Sequence, residues 1–146
     1  MNRSTRLGPF ARLANQRQQG AARSLQESQE ELARYRQRLQ ELRTYRAEYC
    51  GRFQDIAKTG SSAEHIKRFV NFIAKIDDGI WQLESLIGLA QGRCEQHREE
   101  WLAARSRFRA LDEVITRYRS DEAADSLRRE QRESDERGQR GPPANP

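Results

Sequence analysis

No run of 18 apolar residues occurs in the 146-residue chain, so nothing in it reads as a membrane span. Cysteine is nearly absent, and Cys50 and Cys94 form neither a metal-ligand spacing nor a disulfide framework, which fits a reducing compartment. Acidic residues are missing from the first 26 positions, where Arg3, Arg6, Arg12, Arg17 and Arg23 stand uncompensated. That segment also lacks the apolar h-region of a secretory signal, and a soluble cytoplasmic protein is expected. Phosphate-loop, GxSxG and HExxH motifs are lacking, as is an acidic pair placed for a concave site. No catalytic residue, metal ligand or cofactor is therefore expected, and the chain reads as a non-enzyme.

Apolar residues are scarce at 35%, against 34% charged, and the mean hydropathy is -1.06. A compact globule of this length ordinarily has more apolar material to enclose. Long helices, each needing only a narrow apolar stripe, fit better. The formal charge of +5 raises the question of nucleic acid. Yet the 22 acids are interleaved with the 27 bases through most of the chain, as on a solvated coiled-coil exterior. The basic surplus is confined to the first 26 residues, so nucleic acid is not the expected partner.

What is present is a heptad pattern. Ile66, Ile73, Ile80, Ile87, Cys94, Trp101, Phe108 and Ile115 form one seven-residue ladder. Phe69, Ile76, Leu83, Ala90, His97, Ala104, Leu111 and Tyr118 form a second, offset by three. The first half repeats this less purely, with Ala11, Gln18, Leu25, Leu32, Leu39, Arg46 and Phe53 on one ladder. Ala14, Ala21, Ser28, Tyr35, Leu42, Tyr49 and Ile56 lie on the other. Paired ladders sustained this long predict a coiled coil.

Between the halves lies KTGSSAEH. Gly60 suits the left-handed residue after a helix end, and Ser61 with Glu64 has the spacing of a capping box. The expected fold is all-α: a long antiparallel two-helix coiled-coil hairpin over 1–135, with a disordered C-terminal tail over 136–146. Its helices are expected at about 9–58 and 62–135, with the turn at about 59–61 and Pro9 in the first turn. At ~1.5 Å per residue they would be roughly 75 and 110 Å long. If Ile56 meets Ile66, facing residue numbers add to 122. Ala21 then falls opposite Trp101, Ala14 opposite Phe108 and Ser28 opposite Cys94, large against small as close packing requires. Facing partners run out where Tyr118 meets Ser4.

Within that frame His97 faces Leu25 and takes a structural or register role, while His65 is expected to be exposed. Cys50 and Cys94 are on the order of 33 Å apart along the hairpin and cannot bridge. Gly79, Gly88 and Gly92 each cost the second helix up to ~1 kcal/mol relative to alanine. In LRTYRAEYCGRF, residues 42–53, Leu42, Tyr49 and Phe53 belong to the seam. Tyr45 instead stands on the flank, where it is expected between Phe72 and Gly79 with Arg38 and Leu86 beyond. Arg46, facing Ile76, is expected to lay its stem along the seam and keep its charge in water. Exposed aromatics clustered on a charged exterior favour partner contact.

These residues resemble the FliJ proteins of the bacterial flagellar type III export apparatus. The resemblance rests on LRTYRAEY at 42–49, the FxxFI of Phe69 to Ile73, Trp101 followed by a basic second half, and the total length. It implies a shape similar to the γ-subunit stalk of rotary ATP synthases. It also implies binding to the hexameric flagellar export ATPase, to the cytoplasmic domain of the export gate membrane protein and to export chaperones. Peripheral association with the inner-membrane export apparatus follows, with roles in motility and chemotaxis. Carried over by residue, the gate-binding patch corresponds to Leu42, Tyr45, Tyr49, Phe72 and Ile76. Arg38, Gly79 and Leu83 depart from the polar, alanine and histidine residues of other members. Position and charge alone place ATPase contacts at Arg12, Arg17, Arg23, Arg117 and Arg119. Two other readings fit the pattern: the stalk of a virulence injectisome, or a basic nucleic-acid-binding or scaffolding coiled coil.

Overall fold

A computed structural model describes residues 2–141, which contain two helices and no strand. Helix α1 spans Arg3–Lys58 and α2 spans Ala63–Gln139, so the all-α hairpin of the heptad ladders is the fold observed. Both helices are rich in alanine, leucine, arginine, glutamine and glutamate, the residues that lose least on entering a helix. By packing, the chain divides into two units, Ala21–Trp101 and a second made of Met1–Gly20 with Leu102–Pro146.

In Ala21–Trp101 the half-buried and buried positions of α1 and α2 follow the ladders, with Leu32, Leu39, Ile76 and Ala90 buried. Ser28, expected in the seam, is buried as well. Phe53 stacks on Phe69 with ring centroids 3.7 Å apart, which is the expected register. Three ion pairs cross between the helices in nearly the same register: Arg46 to Asp77 at 2.6 Å, Arg43 to Glu84 at 2.8 Å and Arg93 to Glu31 at 3.0 Å. All three are substantially solvated, so they contribute little net stability and act chiefly on alignment.

The turn differs from expectation in its cap. Gly60 has φ of 95°, the left-handed conformation that follows the end of α1. Ser62 rather than Ser61 then caps α2: its hydroxyl accepts from the His65 N–H at 3.2 Å, and its carbonyl accepts from Ile66 N–H at 3.1 Å. The Ser61–Glu64 capping box does not form, and the Ser61 hydroxyl is buried without a partner. Ile56 and Ile66, the expected first facing pair, are each 46% exposed. The seam closes instead on the Phe53–Phe69 stack and on His65, which is half-buried against Phe53 with centroids 5.9 Å apart rather than exposed.

In the unit formed by the two chain ends, Ile115 is 3% exposed and Leu7, Ala14, Phe108, Leu111 and Tyr118 are half-buried. Here α1 begins at Arg3, six residues before the expected start at Pro9. Two features permit the extension. Gly8 lacks the Cβ that a following proline ring crowds. More important, α1 has no acidic residue in its first turn, and α2 supplies one. The Ser4 hydroxyl donates to Glu122 Oε2 at 2.6 Å and the Ser4 N–H donates to Oε1 at 3.2 Å. The carboxylate thus satisfies an orphan helix donor and complements the positive end of the helix dipole. Arg3 lies over the Tyr118 ring at 5.5 Å, so Tyr118 meets Arg3 and Ser4 meets Glu122 one turn further on. Side chains of α2 lean toward its N-terminus, which brings Glu122 back onto Ser4.

Past Glu122, α2 continues beyond Asp135 to Gln139, supported by Arg128–Asp125 and Arg137–Glu133 pairs within the helix. Residues 136–139 of the expected tail are therefore helical, and 142–146 lie outside the described residues.

Glu122 sits below the usual glutamate range, chiefly because the Ser4 hydroxyl bonds its charged form. A depressed carboxylate contributes fully above its ordinary value of 4.5, and the contribution is lost as pH falls through the lowered one. Replacing Glu122 by Ala should shift the start of α1 toward Pro9, read as faster amide exchange at residues 3–8 at neutral pH. Acidification through the lowered Glu122 range should reduce the protection of residues 3–8 relative to intrinsic exchange in the unaltered chain; protection that persists in both cases would show that Glu122 does not hold the helix start.

Candidate partner-binding surfaces

The aromatic rings near the turn form one connected cluster in Ala21–Trp101. Tyr49 is its hub, with its ring centroid 4.5 Å from Phe72, 5.5 Å from Phe69 and 6.3 Å from Tyr45. Tyr45 meets Phe72 edge-on at 6.2 Å, a favoured aromatic geometry. The heptad places Tyr45 and Phe72 on the same flank, because equivalent flanking positions of antiparallel helices lie side by side. Tyr45 is 43% exposed, while Leu42, Tyr49 and Phe72 are half-buried. Ile76 is only 6% exposed, so of the five residues expected in the patch it supports from beneath and offers no surface of its own.

Two details differ from the sequence reading. The gap beside Gly79 is filled by Leu42, whose Cδ2 lies 3.2 Å from where an alanine Cβ would stand. Arg46 does lie half-buried on the seam, but its guanidinium is not simply in water. It donates to both oxygens of Asp77, at 2.6 and 3.2 Å, and holds that carboxyl below its usual range. The pair fixes α1 against α2 directly beside the ring cluster.

Arginines expected at an ATPase contact are dispersed. Arg12, Arg17, Arg117 and Arg119 are exposed in the unit of the chain ends, and Arg23 is exposed in the other. Arg12 and Arg119 line one shallow groove with Asp112. Arg17 lines another, of about 370 Å³, whose wall is almost wholly apolar and includes Phe10 and Leu13. Sequence reading missed that groove, since Phe10 and Leu13 fall on neither ladder. Their exposure, 62% and 46%, is the signal that identifies it.

His97 keeps its seam position, half-buried, with Nδ1 shielded from solvent 3.4 Å from Glu100 but not aligned for a hydrogen bond. Cys50 and Cys94 are both free and half-buried. Among the described residues no cluster of His, Cys, Asp and Glu is arranged to hold a metal ion, and no helix is long and apolar enough to cross a membrane.

The different burial of patch residues separates support from contact. Ile76→Ala should lower stability by about 3 kcal/mol, as for a buried aliphatic side chain. Tyr45→Ala should cost no more than about 1 kcal/mol, the scale of one aromatic edge contact. Thermal melting followed by circular dichroism distinguishes them; equal losses would place Tyr45 in the core.

No curated protein and no solved structure matches the chain. One protein family does, and it matches almost end to end: the profile described as Flagellar FliJ protein covers residues 3–142. With the paired heptads and the ring cluster of Tyr45, Tyr49 and Phe72 in place, the chain belongs to the FliJ family and is a component of the flagellar type III export apparatus.

Proposed function

We propose that the protein is a non-enzymatic stalk and escort of flagellar export, binding the hexameric export ATPase and the cytoplasmic domain of the export gate and linking one to the other. Export chaperones are its further partners, and it associates peripherally with the inner membrane through the gate. The observation carrying this reading is the flank of Tyr45 and Phe72: two rings packed edge to face and propped by buried Ile76. An aromatic cluster with a rigid floor is the kind of feature that concentrates binding energy in protein interfaces. Leu42 and Tyr49 widen the patch along the seam.

The ATPase contact falls to the unit containing the chain ends, with Arg12, Arg17, Arg117 and Arg119 as its cations, and Arg23 as a further one in the other unit. Their exposure suits steering toward an acidic surface, an effect that weakens with salt. The family match favours the flagellar system over an injectisome.

Capture assays with the purified cognate ATPase and the gate's cytoplasmic domain test this reading. The unaltered protein should bind both, and a Tyr45→Ala, Phe72→Ala double variant should lose the gate by about tenfold or more while keeping the ATPase, as expected for interface anchors. Capture of neither partner by the folded, unaltered protein would overturn the proposal.

A further inference from the structure

The unit built from the chain ends carries an apolar groove whose cations have nothing to pair with. Phe10, Leu13, Ala110 and Leu111 line it, and Arg17 and Arg107 stand at its edges, one from each helix. Phe10 and Leu13 are both exposed although each is a large apolar side chain. They are three residues apart on α1, so they present side by side. Further along α2, the residues at the same helical face are Val114 and Arg117, so the surface stays apolar and basic.

The arginines lining this groove differ from the three that cross the seam in Ala21–Trp101. There Arg43, Arg46 and Arg93 each reach a carboxylate on the opposite helix. Arg17, Arg107 and Arg117 make no ion pair. For Arg17 and Arg107 the sequence explains why: no acid occurs before Glu27, and none occurs between Trp101 and Leu111. Neither guanidinium has a carboxylate within one turn on its own helix, so a carboxylate seated in this groove has to come from a partner. An uncharged apolar ligand would cover Phe10 and Leu13 but strip water from the arginines without replacing it, which is costly. A groove between two antiparallel helices also has the shape that a third helix fills.

We propose that this groove docks an amphipathic helix of a partner protein, with apolar residues on one face against Phe10, Leu13 and Leu111 and with carboxylates flanking that face to meet Arg17 and Arg107. Guanidinium and carboxylate pair with two parallel hydrogen bonds, so the flanks set orientation while the apolar face supplies burial. The inference rests on the reading that this unit meets the export ATPase, and it names the chemistry of the ATPase segment engaged.

The test uses the full chain, the purified ATPase, and two synthetic amphipathic peptides of 18 residues sharing leucines at helical spacing. One peptide carries glutamates on its flanks and the other lysines. The acidic peptide should bind and the basic one should not. Affinity should fall about tenfold or more in Arg17→Glu, Arg107→Glu and in Phe10→Ala, Leu13→Ala, whose side chains are exposed enough to leave melting unchanged. The acidic peptide should also displace the ATPase. Peptide binding at the groove with no ATPase binding keeps the groove and overturns its assignment to the ATPase. ATPase binding unaffected by the groove variants, or equal binding of both peptides, overturns the groove proposal and leaves the ATPase reading intact. Groove-dependent capture of phosphatidylglycerol vesicles without peptide binding overturns it in favour of an anionic lipid surface.

Discussion

Two helices paired face to face can enclose only the stripe along which they touch. Every other feature of this chain follows from that geometric limit. Among the described residues only Leu32, Leu39, Ile76, Ala90 and Ile115 are buried apolar side chains, and no large one is fully enclosed. A third layer would be needed to bury more. The seam therefore works by continuity over many heptads, each contributing a little, and the register has to be held wherever alternatives compete. Near the turn it is held by the Phe53–Phe69 stack and by Arg46 on Asp77. At the chain ends it is held by Glu122 on Ser4 and by Arg3 over Tyr118.

The same limit shapes the surfaces. With only one seam to fill, a flanking aromatic such as Tyr45 is half covered by its neighbours and half available. In Ala21–Trp101 the cations close to the seam are satisfied across it, so what distinguishes that unit is its ring cluster. In the unit of the chain ends the local shortage of acids leaves Arg17 and Arg107 without an ion pair beside exposed Phe10 and Leu13. One unit thus offers a neutral aromatic surface and the other a basic apolar one. Two chemically distinct partners are what such a division suits.

Much of this is legible in the sequence because heptad spacing is a long, redundant signal. The ladders foretell the burial of Leu39, Ile76 and Ile115, and the pairing of Phe53 with Phe69. They also separate Tyr45 from Tyr49. What the ladders miss depends on single contacts between residues far apart in the chain. Pro9 is a sound local start signal, but it is overridden by a carboxylate 118 positions from Ser4. Ser61 and Ser62 are both plausible caps, and the choice depends on where Gly60 turns the chain. His65 is drawn inward by Phe53, which no local pattern announces. The groove at Phe10 escapes for a related reason: counting arginines along the chain shows excess charge, but only the folded pair shows that Arg17 and Arg107 share an apolar wall.

The central claim is that one chain folds back on itself in the register set by Phe53 and Phe69. Electron–electron resonance between spin labels at Gln40→Cys and Gln82→Cys, both exposed, tests it most directly in a background with Cys50 and Cys94 replaced by serine. Labels on adjacent helices should give a distance of about 20–30 Å, unchanged on dilution with unlabelled protein. A distance on the order of 60 Å, the span of the same residues along one uninterrupted helix, would contradict the hairpin, as would a short distance that vanishes on dilution.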